Sequence, residues 1–354
     1  MPLSRIRMTA LRCLREVELD LHPQANYIFG PNGAGKTTLL EGIFVLGRGR
    51  SFRTRQMRRL VQHGSDGFAV FGIVATHGAT RRLGVAYGAG RLEKKVDNEA
   101  ATGMAQLAEI LSVHAVDPSM HALVEGGPSE RRRFLDWGVF HVEQSYLATW
   151  KRYRRVLSQR NAALKNSGSV AELRPWSAAL AEAGMAVDES RRRYLESLEP
   201  YLADFGRRLL DGSLTIDYRR GWPAEQSFEH ALATSELRDR QTGSTEPGPH
   251  RAELVLRLDD RRVQGEASRG QQKLVAAALI LSQVAVESAA RPQRSVLVID
   301  DPAAELDALS LQRLLATMNA LPAQLVFTAL SAAHLPPSSG HPVFHVERGE
   351  VRAV

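Results

Sequence analysis

The sequence contains one cysteine, Cys13, in 354 residues. An intrachain disulfide is therefore excluded, and the usage fits a reducing compartment, so the cytoplasm is the expected location. Cys13 has none of the His or Asn context of a thiol nucleophile and is expected as a buried apolar filler. Long apolar runs are also missing. The longest, Leu274–Leu281, is less than half of the ~20 residues a membrane span needs. Met1–Thr9 carries two arginines but no apolar stretch, so neither a secretory signal nor a membrane partner is expected. None of the 11 histidines stands in a metal-ligand spacing. Acidic residues are in deficit, with 39 Asp and Glu against 46 Lys and Arg, which gives +7 and invites an anionic partner, nucleic acid first.

What is present is a globular composition. A 44% hydrophobic share with 24% charged residues excludes disorder as the main state. At roughly 100–200 residues per domain, the length implies two domains or one with a large insertion. Val17, Leu19 and Leu21 alternate with acids as in a half-buried strand, and Tyr27-Ile28-Phe29 is a short strand running into glycine-rich sequence. Leu39, Leu40, Ile43 and Phe44 then mark the inward face of a helix. From Phe68 to Glu99 the pattern is strand-like, with breaks at Gly78 and Gly88–Gly90, which predicts a small antiparallel sheet of hairpins. Between about Pro128 and Leu210 two helical series, Phe134–Leu157 and Trp176–Phe205, predict a helical hairpin with its turn at Asn166–Pro175. Arg238–His250, rich in Gly, Ser, Thr and Pro, is expected as a mobile surface loop. A strand (Glu253–Leu258), a long apolar helix (Gln271–Glu287) and a buried strand (Val296–Ile299) follow, and no internal repeat is present.

Gly30-Pro31-Asn32-Gly33-Ala34-Gly35-Lys36-Thr37 fits G-x-x-x-x-G-K-[ST]. Its glycines let backbone N–H groups turn onto phosphate oxygens at a helix start. Lys36 is expected on the outer phosphates and the Thr37 hydroxyl on Mg²⁺. Nucleoside triphosphate is the ligand this spacing predicts. Val296-Leu297-Val298-Ile299 ends in Asp300-Asp301, carboxylates at the C-terminal edge of a buried strand. Asp300 is expected in the Mg²⁺ shell, and Asp301 as the group that polarises the attacking water. Ser268-Arg269-Gly270-Gln271 opens the long apolar helix and offers a hydroxyl, N–H groups and a helix dipole to a second anion. A chain with one phosphate loop has a use for this turn if it caps the triphosphate held by a second copy.

Glu305-Leu306-Asp307, after the paired acids, resembles the D-loop of the ABC-type ATPase superfamily, whose motifs stand in this order. The closer resemblance is to the RecF family of bacterial recombination-repair proteins, over nearly the whole chain. Gly126–Asp136, Gln159-Arg160-Asn161-Ala162, Gly248-Pro249-His250-Arg251 and Ser268–Lys273 carry it. The chain departs from that pattern at Ser119-Met120 and Ala252-Glu253, where the family usually has paired acids.

The resemblance implies an α/β P-loop ABC-type ATPase head, SMC-like, with a mostly parallel sheet, an antiparallel β-subdomain and an inserted α-helical lobe. The expected division is 1–115 and 211–354 for the head and 116–210 for the lobe. It further implies ATP and Mg²⁺ as cofactors, with Gly30–Thr37, Ser268, Gly270 and Gln271 at the nucleotide, Thr37 and Asp300 at the metal, and Lys36 and Asp301 in catalysis. The implied activity is that of a slow, DNA-stimulated ATPase in which hydrolysis times release. An ATP-dependent homodimer would clamp gapped or junction DNA and help load RecA with RecR and RecO, in recombinational repair, replication restart and the SOS response. Arg48–Arg59, with six arginines and no acid, supports a DNA contact, although Arg53 or Arg55 could reach nucleotide instead. Lys151, Arg152, Arg154 and Arg155 form a second basic cluster. Two other readings stay open: an ABC transporter's ATPase subunit, and a monomeric P-loop enzyme.

Overall fold

A computed structural model describes residues 3–76, 79–166, 170–292, 295–304, 306–334 and 340–354, the side chains of 76, 170 and 334 excepted. Gly78, Gly168 and Glu305 lie outside the described residues. The chain divides into two compact units, Met1–Met120 with Ala276–Val354, and His121–Val275.

The first unit opens with β1 (Leu3–Leu11), β2 (Leu14–Asp20), β3 (Ala25–Phe29), α1 (Lys36–Arg48), β4 (Gly67–Thr76), β5 (Ala79–Gly88), β6 (Arg91–Val96), β7 (Glu99–Ala100), α2 (Met104–Ile110) and β8 (Ser112–Val116). The second holds α3 (Ala122–Glu125), α4 (Pro128–Val142), α5 (Tyr146–Lys165), α6 (Val170–Leu210), β9 (Leu214–Arg219), α7 (Phe228–Thr242), β10 (Glu253–Leu258) and β11 (Arg261–Arg262). Then come α8 (Arg269–Ala290), β12 (Ser295–Asp300), α9 (Ala308–Asn319), β13 (Gln324–Ala329), β14 (Val343–Glu347) and β15 (Glu350–Ala353).

In the first unit, a six-stranded sheet runs β15-β14-β3-β13-β12-β8, parallel except for β15. The apolar run of β12 is buried on both faces, as a central parallel strand requires. A second six-stranded sheet, β2-β1-β4-β5-β6-β7, is antiparallel. Its inward residues alternate along β1 (Ile6, Met8) and β4 (Phe68, Val70, Gly72, Val74). α1 touches strands of both sheets, and Leu39, Leu40, Ile43, Phe44 and Leu46 are buried in the core they share. Fully burying each such side chain contributes about 1.5–3 kcal/mol. The helix that follows the phosphate loop is therefore fixed from both sides.

The second unit packs α5 against α6, the expected hairpin, with a three-stranded sheet β11-β10-β9. It covers His121–Val275 and not 116–210, because α6 also packs on β9 and α7, which follow it. The first helical series is interrupted at Glu143–Ser145, which separates α4 from α5. Pro175 does not belong to a turn; it lies inside α6, as does Pro200.

Two further expectations are corrected. Cys13 is exposed, because it sits in the β1–β2 turn while its neighbours Leu11 and Leu14 take the interior positions. Arg238–His250 is not a mobile loop. It is helical through Thr242, and Thr245, Gly248 and Pro249 beyond it are buried. At 22 residues, α8 is long and apolar enough to cross a membrane by composition, yet 78% of its most apolar stretch is buried in protein.

Candidate nucleotide-binding site

β3 delivers the chain into Gly30–Thr37 at the C-terminal edge of the parallel sheet. Pro31, Asn32 and Gly33 are exposed, and Ala34, Gly35 and Lys36 are buried. Gly35 is the N-cap of α1 and supplies no side-chain acceptor, so the first-turn N–H groups face outward for an anion. Gly30 has φ 158°, and a Cβ there would lie 2.0 Å from the Val346 carbonyl oxygen, so only glycine fits. The Lys36 ammonium donates to the carbonyls of Gly30 (2.7 Å) and Pro31 (3.1 Å), spanning the loop from beneath.

β12 ends one strand away from β3, with β13 between. This brings the Thr37 hydroxyl to 3.0 and 2.9 Å from the two Asp300 carboxylate oxygens, across 263 residues of sequence. A hydroxyl and a carboxylate adjacent at the foot of a phosphate loop are the hard oxygen donors that Mg²⁺ prefers, so these residues fit the ion. Thr328, at the end of β13, donates to Asp300 Oδ1 (2.9 Å) and accepts the Asp301 N–H (3.1 Å). Asp301 has φ 43°, a left-handed conformation costly for a non-glycine residue and typical of functional sites. The sequence reading missed Thr328, since nothing local announces which strand lies beside β12.

Ser268 and Gln271 are mutual caps. Ser268 Oγ accepts the Gln271 N–H (3.2 Å), and Gln271 Oε1 accepts the Ser268 N–H (3.0 Å), a capping box at the start of α8. Ser268, Arg269, Gly270 and Gln271 are all exposed. A Cβ on Gly270 would meet nothing nearer than Ser268 Oγ at 4.0 Å, so the fold itself does not call for glycine there.

The basic run after α1 is not uniformly available. Arg48 donates to the Val113 carbonyl (2.8 Å) and lies over the Phe44 ring, and burial pushes its pKa well down. Arg50, Arg53, Arg55, Arg58 and Arg59 are exposed. Beneath them, fully buried Glu41 holds Arg12 (2.7 Å) and accepts from Ser51, while Arg53 approaches it to 3.8 Å. On α5, Lys151, Arg152, Arg154 and Arg155 are exposed. Arg152 pairs with Glu182 (2.8 Å), and Arg154 lies over Trp150.

The other stretches that carried the resemblance converge as internal ties of the second unit. Arg131 grips Glu253 through two bonds (2.7 and 3.0 Å), and Arg132 donates to the Ala252 carbonyl (2.7 Å). The atypical Ala252-Glu253 thus keeps one carboxylate in use. Arg191 pairs with Asp136 (2.8 Å), which also accepts from Tyr146, and reaches the Pro249 carbonyl (2.7 Å). Arg160 and Asp239, both 0% exposed, pair at 2.7 Å, with Thr245 a second acceptor for Arg160 (2.7 Å). Asn161 Oδ1 accepts the Thr245 N–H (2.8 Å). His250 Nε2–H donates to the Thr245 carbonyl (3.0 Å), so its Nδ1 accepts from Tyr153 (2.6 Å). Burial pushes His250 down to about 4.

Residues 2–347 match the family model of the RecF/RecN/SMC N terminal domain. The DNA replication and repair protein RecF of Thioalkalivibrio sulfidiphilus (strain HL-EbGR7) is 40% identical over 359 residues, covering 99% of each chain. RecF of Pseudomonas entomophila (strain L48) is 39% identical, over 99% of this chain and 98% of its own. The structure of the recombination mediator protein RecF-ATP of the RecFOR pathway superposes with a TM-score of 0.88 at 26% identity, over 99% of this chain and 97% of that one. An Smc head bound to the C-winged helix domain of ScpA shares the fold, with a TM-score of 0.62 at 13% identity, over 100% of this chain and 97% of that one. With a phosphate loop and paired acids on this ATPase fold and full-length identity of this order, the chain belongs to the RecF family of RecF/RecN/SMC proteins.

Proposed function

We propose that this chain is an ATP-dependent DNA-binding protein of recombinational repair and replication restart. The observation that carries the reading is the approach of Thr37 to Asp300 beneath the phosphate loop. In this reading Gly30–Thr37 binds the ATP phosphates, with Lys36 leaving the Gly30 and Pro31 carbonyls for the outer phosphates. Thr37 and Asp300 hold Mg²⁺, whose bound charge would neutralise the developing phosphate charge. Asp301 orients the attacking water and accepts its proton.

Exposed Gly270 supports the second half of the site. Gly270 is the second residue of α8, where there is room for a methyl and alanine is the better helix former. Glycine there suits an object approaching from outside: the triphosphate held by a second copy, against which Ser268 and Gln271 would also lie. ATP then acts as the ligand of a dimer, and its hydrolysis releases that dimer. The exposed arginines of 50–59 suit a DNA backbone. Membership of the RecF family supports gapped or junction DNA as the target, and RecR and RecO as partners in loading RecA in the cytoplasm.

Light scattering with and without Mg-ATP tests this reading. A dimer should form with ATP, accumulate in Asp301→Asn and be lost in Lys36→Met. DNA affinity of the ATP form should fall steeply as salt rises. A mass that never changes while ATP is hydrolysed would favour the monomeric P-loop enzyme, and partition onto lipid vesicles without DNA binding the transporter subunit.

A further inference from the structure

We infer that the C-terminal hairpin β14–β15 is the backing of the phosphate loop, and that Gly349 at its turn is a positioning residue for the nucleotide phosphates. The inference rests on the reading that Gly30–Thr37 takes ATP.

β14 runs parallel beside β3, with Phe344 opposite Ile28 and His345 opposite Phe29, the last residue before the loop. The hairpin then turns at Arg348 (φ 50°) and Gly349 (φ 83°). This turn carries the Gly349 N–H to the Ala34 carbonyl, at 2.9 Å. A trans peptide holds its C=O and the following N–H on opposite edges of one plane. With the Ala34 carbonyl tied outward to Gly349, the Gly35 N–H is turned to the other side, away from the hairpin. Phosphate loops bind through backbone N–H groups of this kind, so one hydrogen bond from the far end of the chain sets the direction of a donor.

Close packing fixes the tie. A Cβ on Gly349 would lie 2.3 Å from the Cys13 carbonyl oxygen, and a Cβ on Gly30 2.0 Å from the Val346 carbonyl oxygen. Behind Gly35, a Cβ would meet Leu14 Cδ2 at 2.9 Å and Cys13 Sγ at 3.2 Å. The phosphate loop, the β1–β2 turn and the hairpin therefore touch at main-chain distance. The loop cannot flatten backward without displacing Val346, and the hairpin cannot lift without releasing Ala34.

Linkage makes the idea testable, because a contact that favours the phosphate-binding form of the loop must itself be strengthened by phosphate. Hydrogen exchange on the full chain, with and without Mg-ATP, would follow the amides of 346–351. They should slow about tenfold with ATP in the wild type, a coupling of about 1.4 kcal/mol, and stay unchanged in Lys36→Met. Gly349→Ala, whose methyl meets the Cys13 carbonyl, should lower the melting temperature and, in the folded fraction, raise the Kd and KM for ATP about tenfold with kcat at saturation within about threefold. A merely structural role would lower the melting temperature equally but leave the Kd and KM of the folded fraction unchanged. ATP-bound wild type with unaltered exchange in the hairpin overturns the inference and leaves ATP binding standing. If wild type takes no ATP, the reading and the inference fall together. Should Gly349→Ala not fold, the wild-type exchange decides alone.

Discussion

The two units of this chain use charge in opposite ways. In the first, the charged groups of the phosphate loop and the paired acids, Lys36, Asp300 and Asp301, stand at one edge of a parallel sheet, while Glu41 with Arg12 and His114 with Glu287 form buried pairs behind them. In the second, the charges named by the sequence are turned inward on one another: Arg131 to Glu253, Arg160 to Asp239 and Arg191 to Asp136. A recurrent Arg or His is thus no guide to chemistry until its neighbours are known. In the proposed reading the motifs of the first unit hold reactants, whereas those of the second, the exposed Ser268–Gln271 cap apart, hold helices and a sheet together. A lesion in the first should cost ligand and turnover, and one in the second should cost stability.

Asp301→Asn offers the largest separation. Losing the carboxylate proposed to accept the water's proton should lower kcat about 10²- to 10⁴-fold. Asn tolerates positive φ, so the melting temperature should hold or rise. A large fall in melting temperature with kcat kept would break the comparison. Arg160→Ala should do the reverse. It leaves Asp239 buried without its cation, a loss of about 3–5 kcal/mol by urea titration, while ATP affinity of the folded protein is kept. Arg160→Met with Asp239→Leu should recover part of that loss, because it removes the uncompensated charge but leaves the Glu246 N–H and the Ser235 hydroxyl without Asp239.

His250 sharpens the same point through pH. Burial holds it at about 4, below the ~6.5 of an unfolded imidazole, so between those values the unfolded chain binds the extra proton. Stability should therefore fall as pH drops from about 6.5 to 4, by on the order of 3 kcal/mol. In His250→Gln the dependence should be shallower by about one proton across that window, as chemical denaturation at stepped pH would show. Turnover per folded molecule should not follow this titration.

The smallest stability effect belongs to Gly270→Ala. Alanine's better helix propensity at this first-turn position should leave the monomer as stable or slightly more so, and the ATP-dependent dimer should disappear. A Gly270→Ala chain that still dimerises would remove the signature turn from the site.

Much of the first unit was legible because its signals are local. Gly30–Thr37 is contiguous, and the apolar Val296–Ile299 run ending in two acids reads as a buried strand wherever it stands. α8 and, in the second unit, β10 were likewise legible, since hydrophobic patterning acts over a few residues. β1 was missed although Leu3, Ile6 and Met8 carry an inward pattern, because one irregular step between Leu3 and Arg5 breaks the alternation. Cys13 and the 243–250 segment were misjudged because exposure and mobility depend on what packs against a residue, and composition does not report that.

By itself the sequence determined which chemical groups exist and in what order: a phosphate loop, a pair of carboxylates and a polar turn opening a helix. The tertiary structure decided which of them meet. Thr37 finds Asp300, Thr328 supports it, Gly349 reaches Ala34 and Arg160 closes on Asp239 because strand order and helix packing bring distant segments together. Backbone propensity and hydrophobic period are properties of neighbours in the chain. Pairing a buried charge or aiming a peptide plane is a property of neighbours in space, and only the folded chain supplies those.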